Sequence, residues 1–323
     1  MAIPTSRTHA VGQLHFNDLL CNGCGLCAEV CKDFGIQIVE GKAGPAPSPI
    51  FGCIGCGHCM AICPRQAITV DGRCLSQADL TDLPDRRQAA GYDELLTLLK
   101  RRRSIREFTD QAVATELIDQ ILEAVRTAPM GLPPSDVHVL IFGSREKVRR
   151  LAVDFCTYLK GMRWLTAGWF LTLMRPFWGK ANNDLFRDFV RPLISAYTGA
   201  MERGRNLVTY DAPAAIYFYG SPYCDPADPL VAATYAMLAA ESLDLGTCMI
   251  GGMHPLIQHG RAARRFREAQ GIRHASREGL LLLVGHSQVA YLKGIRRTLA
   301  AVEYHCSATE MQSKIDTGDT LPL

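Results

Sequence analysis

From residue 92 onward, apolar positions recur with helical spacing. Leu95, Leu96, Leu98 and Leu99 share one face, and Leu117, Ile118, Ile121, Leu122 and Val125 repeat the pattern after a break. Short continuous apolar runs at residues 137–142, 214–219 and 280–284 read as strands, with an alanine-rich helix over 230–245. The mixture predicts an α+β domain in which helices surround a modest sheet. Before residue 75 the pattern is shorter in period and duplicated. Gly35-Ile36-Gln37-Ile38-Val39 and Gln66-Ala67-Ile68-Thr69-Val70 are β-like and occupy equivalent places in two similar halves of residues 11–74, separated by a Gly/Pro-rich spacer over 41–51. Residues 76–91 are polar and mixed in charge, broken by Pro84 and Gly91, and read as a linker. The organisation expected is a small domain over 1–75, a linker over 76–91 and a larger domain over 92–323.

Composition narrows the class. A hydrophobic content of 48% with mean hydropathy of +0.02 is that of a globular chain, and a net charge of +3 gives no general attraction for nucleic acid. The most apolar later segment, residues 164–174, lies between Arg163 and Arg175 and reaches about half of the ~20 residues a membrane span needs. No membrane span is expected. Residues 1–17 lack the apolar core of a secretory signal, so the 13 cysteines point to a reducing cytoplasm and not to a disulfide scaffold.

Eight of those cysteines carry the chemistry. Cys21, Cys24, Cys27 and Cys31 are spaced C-x-x-C-x-x-C-x-x-x-C, and Cys53, Cys56, Cys59 and Cys63 repeat the spacing, with Pro64 after the last. This is the spacing of bacterial ferredoxins. Three thiolates two residues apart wrap one cubane, while the fourth points away and serves the other. One [4Fe–4S] cluster is therefore assigned to Cys21, Cys24, Cys27 and Cys63, and a second to Cys53, Cys56, Cys59 and Cys31. Structural zinc fits less well, because its ligand pairs are separated by longer loops. Lys32 stands where a proline often follows the fourth cysteine. So small a module has little core, and the clusters are expected to supply much of its stability.

In the larger domain, the run Lys100-Arg101-Arg102-Arg103-Ser104-Ile105-Arg106-Glu107-Phe108 ends the first helix. On charge alone it reads equally as a solvated helix end, favoured by the helix dipole, or as an anion site. Its Arg-Arg-Ser-Ile-Arg-x-Phe core resembles the opening signature of the nitroreductase family of FMN enzymes. Further segments agree in order: Ala128-Pro129, Asp211-Ala212-Pro213, and 243–252, whose Leu-Gly-Thr-Cys-Met-Ile-Gly-Gly is similar to the family's LGLGTCWIGG. Tyr291-Leu292-Lys293-Gly294-Ile295-Arg296-Arg297, followed by Val302-Glu303-Tyr304, resembles the family's closing basic strand. The resemblance covers roughly residues 92–305.

It implies a nitroreductase-like FMN domain, with a central mixed sheet surrounded by helices, preceded by a small ferredoxin-like domain. Arg102, Ser104 and Arg106, with Arg103 beside them, would hold the FMN phosphate and ribityl chain, since arginine's planar fork suits phosphate. Lys293 and Arg297 take the two closing basic positions, with Arg296 as the alternative register. Gly251 and Gly252 stand where the family presents a backbone N–H to flavin N5. Met130 and Gly131 lie in the loop that meets the flavin. There Met130 and Pro133 replace the serine and asparagine of many relatives, leaving backbone groups as the alternative for the ring's polar edge.

An aromatic-rich insertion with Trp164, Trp169, Phe170, Phe177 and Trp178 reads as core, dimer contact or lid. His138, His254, His259 and His286 lack ligand spacing and read as structural. The resemblance also implies a homodimer, a one-electron donor such as reduced ferredoxin or NAD(P)H, and a small organic acceptor: nitro-aromatic, quinone or enone. An electron-transfer adaptor between a carrier and a protein partner is the rival reading. Reductive dehalogenation and flavin destruction are specialised chemistries of the same fold.

Overall fold

The computed structural model describes residues 3–304. These fall into two units, the first ending at Ala290 and the second beginning at Tyr291. The first unit opens with short elements: β1 (Gln13–Phe16), α1 (Leu26–Val30), β2 (Ile36–Val39), β3 (Lys42–Pro45), α2 (His58–Ile62) and β4 (Ile68–Asp71). Strand β1 pairs with β4 and β2 with β3, both antiparallel. The two β-like segments expected from the duplication are strands, and each pairs with a segment that was not expected to be a strand, β4 with β1 and β2 with β3. Strand β3 lies inside the supposed Gly/Pro-rich spacer, where Pro45 is tolerated because it ends a strand in a two-stranded ribbon. The core here is small, with Ile36, Met60, Ile68 and Val70 packed around the buried Cys27 and Cys59.

The larger region contains α3 (Tyr92–Arg101), α4 (Thr115–Arg126), β5 (Val137–Phe142), α5 (Arg145–Gly161), α6 (Gly168–Leu185), α7 (Arg191–Glu202), β6 (Ala214–Gly220), α8 (Asp228–Ser242), β7 (Gly246–Ile250), α9 (Gly260–Ala269) and β8 (Gly279–Gly285). Four strands form one sheet in the order β5-β6-β8-β7, and all three pairings are antiparallel. The parallel component of the expected mixed sheet is confined to one bridge, Ser104 to Thr247.

Strands β6 and β8 are buried along their whole lengths, which explains their unbroken apolar sequences. Alternation sends their side chains to two cores. Ile216, Phe218 and Leu282 meet α4 and α8, whereas Tyr217, Leu281 and Leu283 face the opposite side with Leu151 and Phe155 of α5. Helix α3 forms as its periodicity predicts, yet none of its residues is buried, and Leu95 and Leu99 stay exposed.

The aromatic insertion is helical. Helix α6 contains Pro176 and bends at Gly179, whose φ is 79°. Phe170 meets Trp164, Trp169 and Trp178 edge-on, and Trp178 stacks on Phe186, while Trp164, Trp169 and Phe177 remain exposed. Among the described residues no helix is long and apolar enough to cross a membrane.

The second unit, described over 291–304, contains neither helix nor strand and is exposed throughout. The closing basic strand expected there is not formed.

Candidate functional site

The two cysteine runs fold alike. In each, a glycine with positive φ precedes the short helix, Gly25 at 81° before α1 and Gly57 at 76° before α2. Exposure repeats as well: Cys24 and Cys56 are exposed, Cys27 and Cys59 buried, and the other four intermediate. At Gly23, with φ of 73°, a Cβ would lie 2.2 Å from the Gly41 carbonyl oxygen, so this turn admits only glycine without rearrangement.

Two hollows result, and their walls cross the runs. One is lined by Cys21, Cys24, Cys27 and Cys63, the other by Cys31, Cys53, Cys56 and Cys59. Each brings together the four cysteines assigned to one cluster by the spacing. No three His, Cys, Asp or Glu side chains among the described residues converge on a single-ion site. Thiols standing apart around a hollow suit a group with four separate metal corners, and the donor set is the soft one that iron–sulfur chemistry uses.

Electrostatics fit the same group. Burial raises the pKa of Cys27 and Cys53 and pushes Cys59 up to about 12, with Cys56 and Cys53 adding to the Cys59 shift. Such thiols stay protonated when bare and give up their protons on metal loading. Cys21 is lowered instead, by N–H groups of Ala43 and Gly23. The Ala43 N–H donates to Cys21 Sγ at 3.4 Å and the Ala67 N–H to Cys63 Sγ at 3.2 Å, so the first hollow has two backbone donors aimed at sulfur.

At the other end of the unit, the chain leaves α3 at Arg102 and runs beside β7. The Ile105 N–H donates to the Thr247 carbonyl at 2.8 Å. This seam is tight: a Cβ on Gly246 would lie 2.7 Å from Ile105 Cγ1. It brings the cationic run to the strand that leads into Gly251 and Gly252. Arg102 and Arg106 act electrostatically on Cys248, and Arg106 also lies 5.7 Å from the Tyr210 ring centroid. Glu241, near the end of α8, is raised by burial against the opposing pull of Arg101, Arg102 and Arg103. Three arginines against two carboxylates, Glu241 and the nearby Asp244, leave the place cationic. Thr247 is buried and its hydroxyl has no partner among the described residues, a polar atom that sequence reasoning did not single out. Cations and an unpaired hydroxyl suit the phosphate end of a flavin nucleotide.

Met130 and Gly131 are not part of that cluster within one chain. The Gly131 N–H donates to Asp228 Oδ1 at 2.9 Å, at the first residue of α8, whereas Glu241 and its arginines stand at the last turn. Fifteen helical residues place these ends about 20 Å apart. Gly131 and Leu132 instead line the second cysteine hollow. Lys293, Arg296 and Arg297 lie in the second unit, where all three are exposed. Of the histidines expected to be structural, His254 is buried, with Nδ1 2.8 Å from the Tyr217 hydroxyl, and His138 stacks on Tyr219.

The joint between the cysteine region and the sheet region was not legible beforehand. Asp136 accepts from the Ser6 N–H at 2.8 Å and from the Ser6 and Ser221 hydroxyls. Arg73 donates to the Pro133 carbonyl at 2.7 Å.

Two family models match separate stretches of the chain. The model described as nitroreductase family matches residues 99–286, and the 4Fe-4S dicluster domain model matches 20–68. FMN reductase [NAD(P)H] of Bacillus subtilis (strain 168) is 27% identical over 167 residues, covering 50% of this chain and 55% of that enzyme. The chain thus spans about half the length of this curated relative. Among solved structures, a nitroreductase with bound FMN from Desulfitobacterium hafniense DCB-2 is 23% identical with a TM-score of 0.46, and one from Bacteroides fragilis NCTC 9343 is 18% identical with a TM-score of 0.48. Each covers 65% of this chain and 98% of its own.

Proposed function

The chain belongs to the nitroreductase family, and on that premise we propose that it is an FMN-dependent oxidoreductase whose two [4Fe–4S] clusters exchange single electrons with the flavin. When bound, FMN supplies a ring that takes or gives electrons singly or in pairs, and the clusters supply one-electron carriers. Arg102, Ser104 and Arg106, with Arg103 adjacent, hold the phosphate and ribityl chain. A backbone N–H at Gly251 or Gly252 is presented to flavin N5, where it favours one protonation state without a side-chain acid. Met130 and Gly131 offer backbone groups to the ring's edge. Cys21, Cys24, Cys27 and Cys63 ligate one cluster; Cys31, Cys53, Cys56 and Cys59 ligate the other.

The observation that carries this reading is the shared wall of the second hollow. Gly131 and Leu132, from the loop that meets the flavin in the resemblance, line the same space as Cys31, Cys53, Cys56 and Cys59. The separation of Met130–Gly131 from the cationic run by the length of α8 further favours a homodimer, in which one chain's loop completes the flavin site of the other.

Electrons enter from a low-potential carrier such as reduced ferredoxin and leave to a small organic acceptor; NAD(P)H is the competing donor. Anaerobic stopped-flow reduction with NADH, NADPH and reduced ferredoxin in turn tests the scheme. Ferredoxin is expected to bleach the clusters before the flavin, and Cys24→Ala and Cys56→Ala are expected to lose that reduction while retaining FMN. Normal turnover of both variants with ferredoxin would reject the role given to the clusters. A reduced flavin that no small acceptor reoxidises would favour an adaptor between protein partners.

A further inference from the structure

Arg73 is 3% exposed, and its hydrogen bonds all go to main-chain carbonyls. Nε donates to Ile54 at 2.8 Å, Nη1 to Ile3 at 3.0 Å and Ala10 at 2.7 Å, and Nη2 to Pro133 at 2.7 Å. Asp79 lines the same cleft, but it is exposed and engaged by Ser76. Neutral dipoles satisfy the donors of a buried guanidinium without cancelling its charge, and an uncompensated buried charge is costly. A negative group close by would resolve the cost.

The Ile54–Gly55 peptide points to where that group sits. It lies inside the Cys53-x-x-Cys56 turn. Its carbonyl accepts from Arg73 Nε at 2.8 Å, and its N–H lies in the same Cys53-x-x-Cys56 turn as the Cys53 thiol, whose pKa it acts to lower. One peptide unit is thus held between a fixed cation and a sulfur that lines the second hollow. Only a small residue allows this approach, since a Cβ on Gly55, whose φ is 70°, would stand 3.0 Å from Arg73 Cβ.

We propose that Arg73 is the built-in countercharge of the second cluster, polarising the Ile54–Gly55 peptide toward the Cys53 sulfur and so raising that cluster's reduction potential. The inference rests on the reading that Cys31, Cys53, Cys56 and Cys59 hold a [4Fe–4S] group. Four thiolates around a cubane leave the site net negative, and uptake of one electron adds another negative charge. A fixed cation relayed through a polarised N–H stabilises the reduced form more than the oxidised one. Among the described residues the first cluster has no buried cation of this kind: Lys42, whose Nζ donates to the Cys21 carbonyl at 2.6 Å, and Arg65 beside its hollow are both exposed, so solvent screens them. The bond to Pro133 makes the same guanidinium a positioning group, fixing the Cys53–Cys56 turn against the loop that carries Leu132 into the hollow.

The test is a potentiometric titration with dithionite, followed by electron paramagnetic resonance, of the iron-loaded wild type, Arg73→Gln and Arg73→Lys. In Arg73→Gln one cluster potential is expected to fall while the other holds, and Arg73→Lys should shift less because it keeps the charge. Two unmoved potentials, or equal shifts in both clusters, would overturn the proposal. Should Arg73→Gln fail to fold, Arg73→Lys still decides: one cluster potential is expected to fall by a smaller amount, and two unmoved potentials in that variant would overturn the proposal. Iron analysis separates the failures: a purified chain without iron overturns the cluster reading and this inference together, whereas a loaded chain with unmoved potentials overturns only the inference.

Discussion

The cysteine region and the sheet region are ordered by different means. Between Gln13 and Asp71 no strand exceeds four residues and no helix exceeds five, and buried cysteines make up part of the core itself. Between Val137 and Gly285, two seven-residue strands are buried end to end and both faces of the sheet are covered by helices. Apolar burial suffices for the second region; the first needs something in its hollows. Side chains thus serve packing in one region and ligation in the other, and the two regions fail under different insults.

The largest expected effect is on the cysteine region when iron is removed. Anaerobic chelation should expose residues 13–71 to proteolysis and hydrogen exchange while 137–285 stays protected. Continued protection of 13–71 would mean that this region holds its fold without iron. In the opposite direction, Leu282→Ala, at a wholly buried position, is expected to cost about 2–5 kcal/mol in denaturant unfolding of the sheet region, with iron content unchanged. Loss of iron in this variant would mean that the two regions fold as one.

A smaller effect concerns the cationic run. Arg102→Ala is expected to weaken FMN by about 1.5–3 kcal/mol, the worth of a hydrogen bond to a charged group, measured by fluorescence titration of the flavin. Unaltered affinity would remove Arg102 from the site. The smallest effect belongs to the joint. Burial would raise the Asp136 carboxyl, but hydrogen bonds from Ser6 and Ser221 outweigh it and hold its pKa below the ordinary value. The stabilisation is therefore complete above the unfolded pKa, near 4, and is lost as pH falls through the folded one. Asp136→Asn should cost about 1 kcal/mol at neutral pH, and the deficit should vanish in acid. A deficit that persists there would trace to packing and not to charge.

What could be read from the sequence was what is local. Cysteines two and three residues apart carry their own geometry, and the paired hollows follow from it. Strands β6 and β8 announced themselves because a doubly covered strand has no polar side to disguise it. Strand β1 was overlooked because Gln13–Phe16 carries no β-branched residue, unlike the equally short β2 and β4, and β3 because Gly44 and Pro45 read as breakers. Arg73 could not be found, since its partners are carbonyls from four separate stretches and carbonyls leave no mark on a sequence. Nor could the splitting of Met130–Gly131 from the arginines be seen, because it depends on which end of α8 each one meets.

The seam between Ser104 and Thr247 has a consequence for how the molecule comes into being. Its two sides are roughly 140 residues apart along the chain, and closing so long a loop is slow relative to the local turns around the cysteines. The arginines therefore reach their place beside β7 only after almost every other strand of the sheet exists. During synthesis, the cysteine hollows can be complete before the ribosome has made Thr247. Metal loading would then mark an early stage of maturation and nucleotide capture a late one.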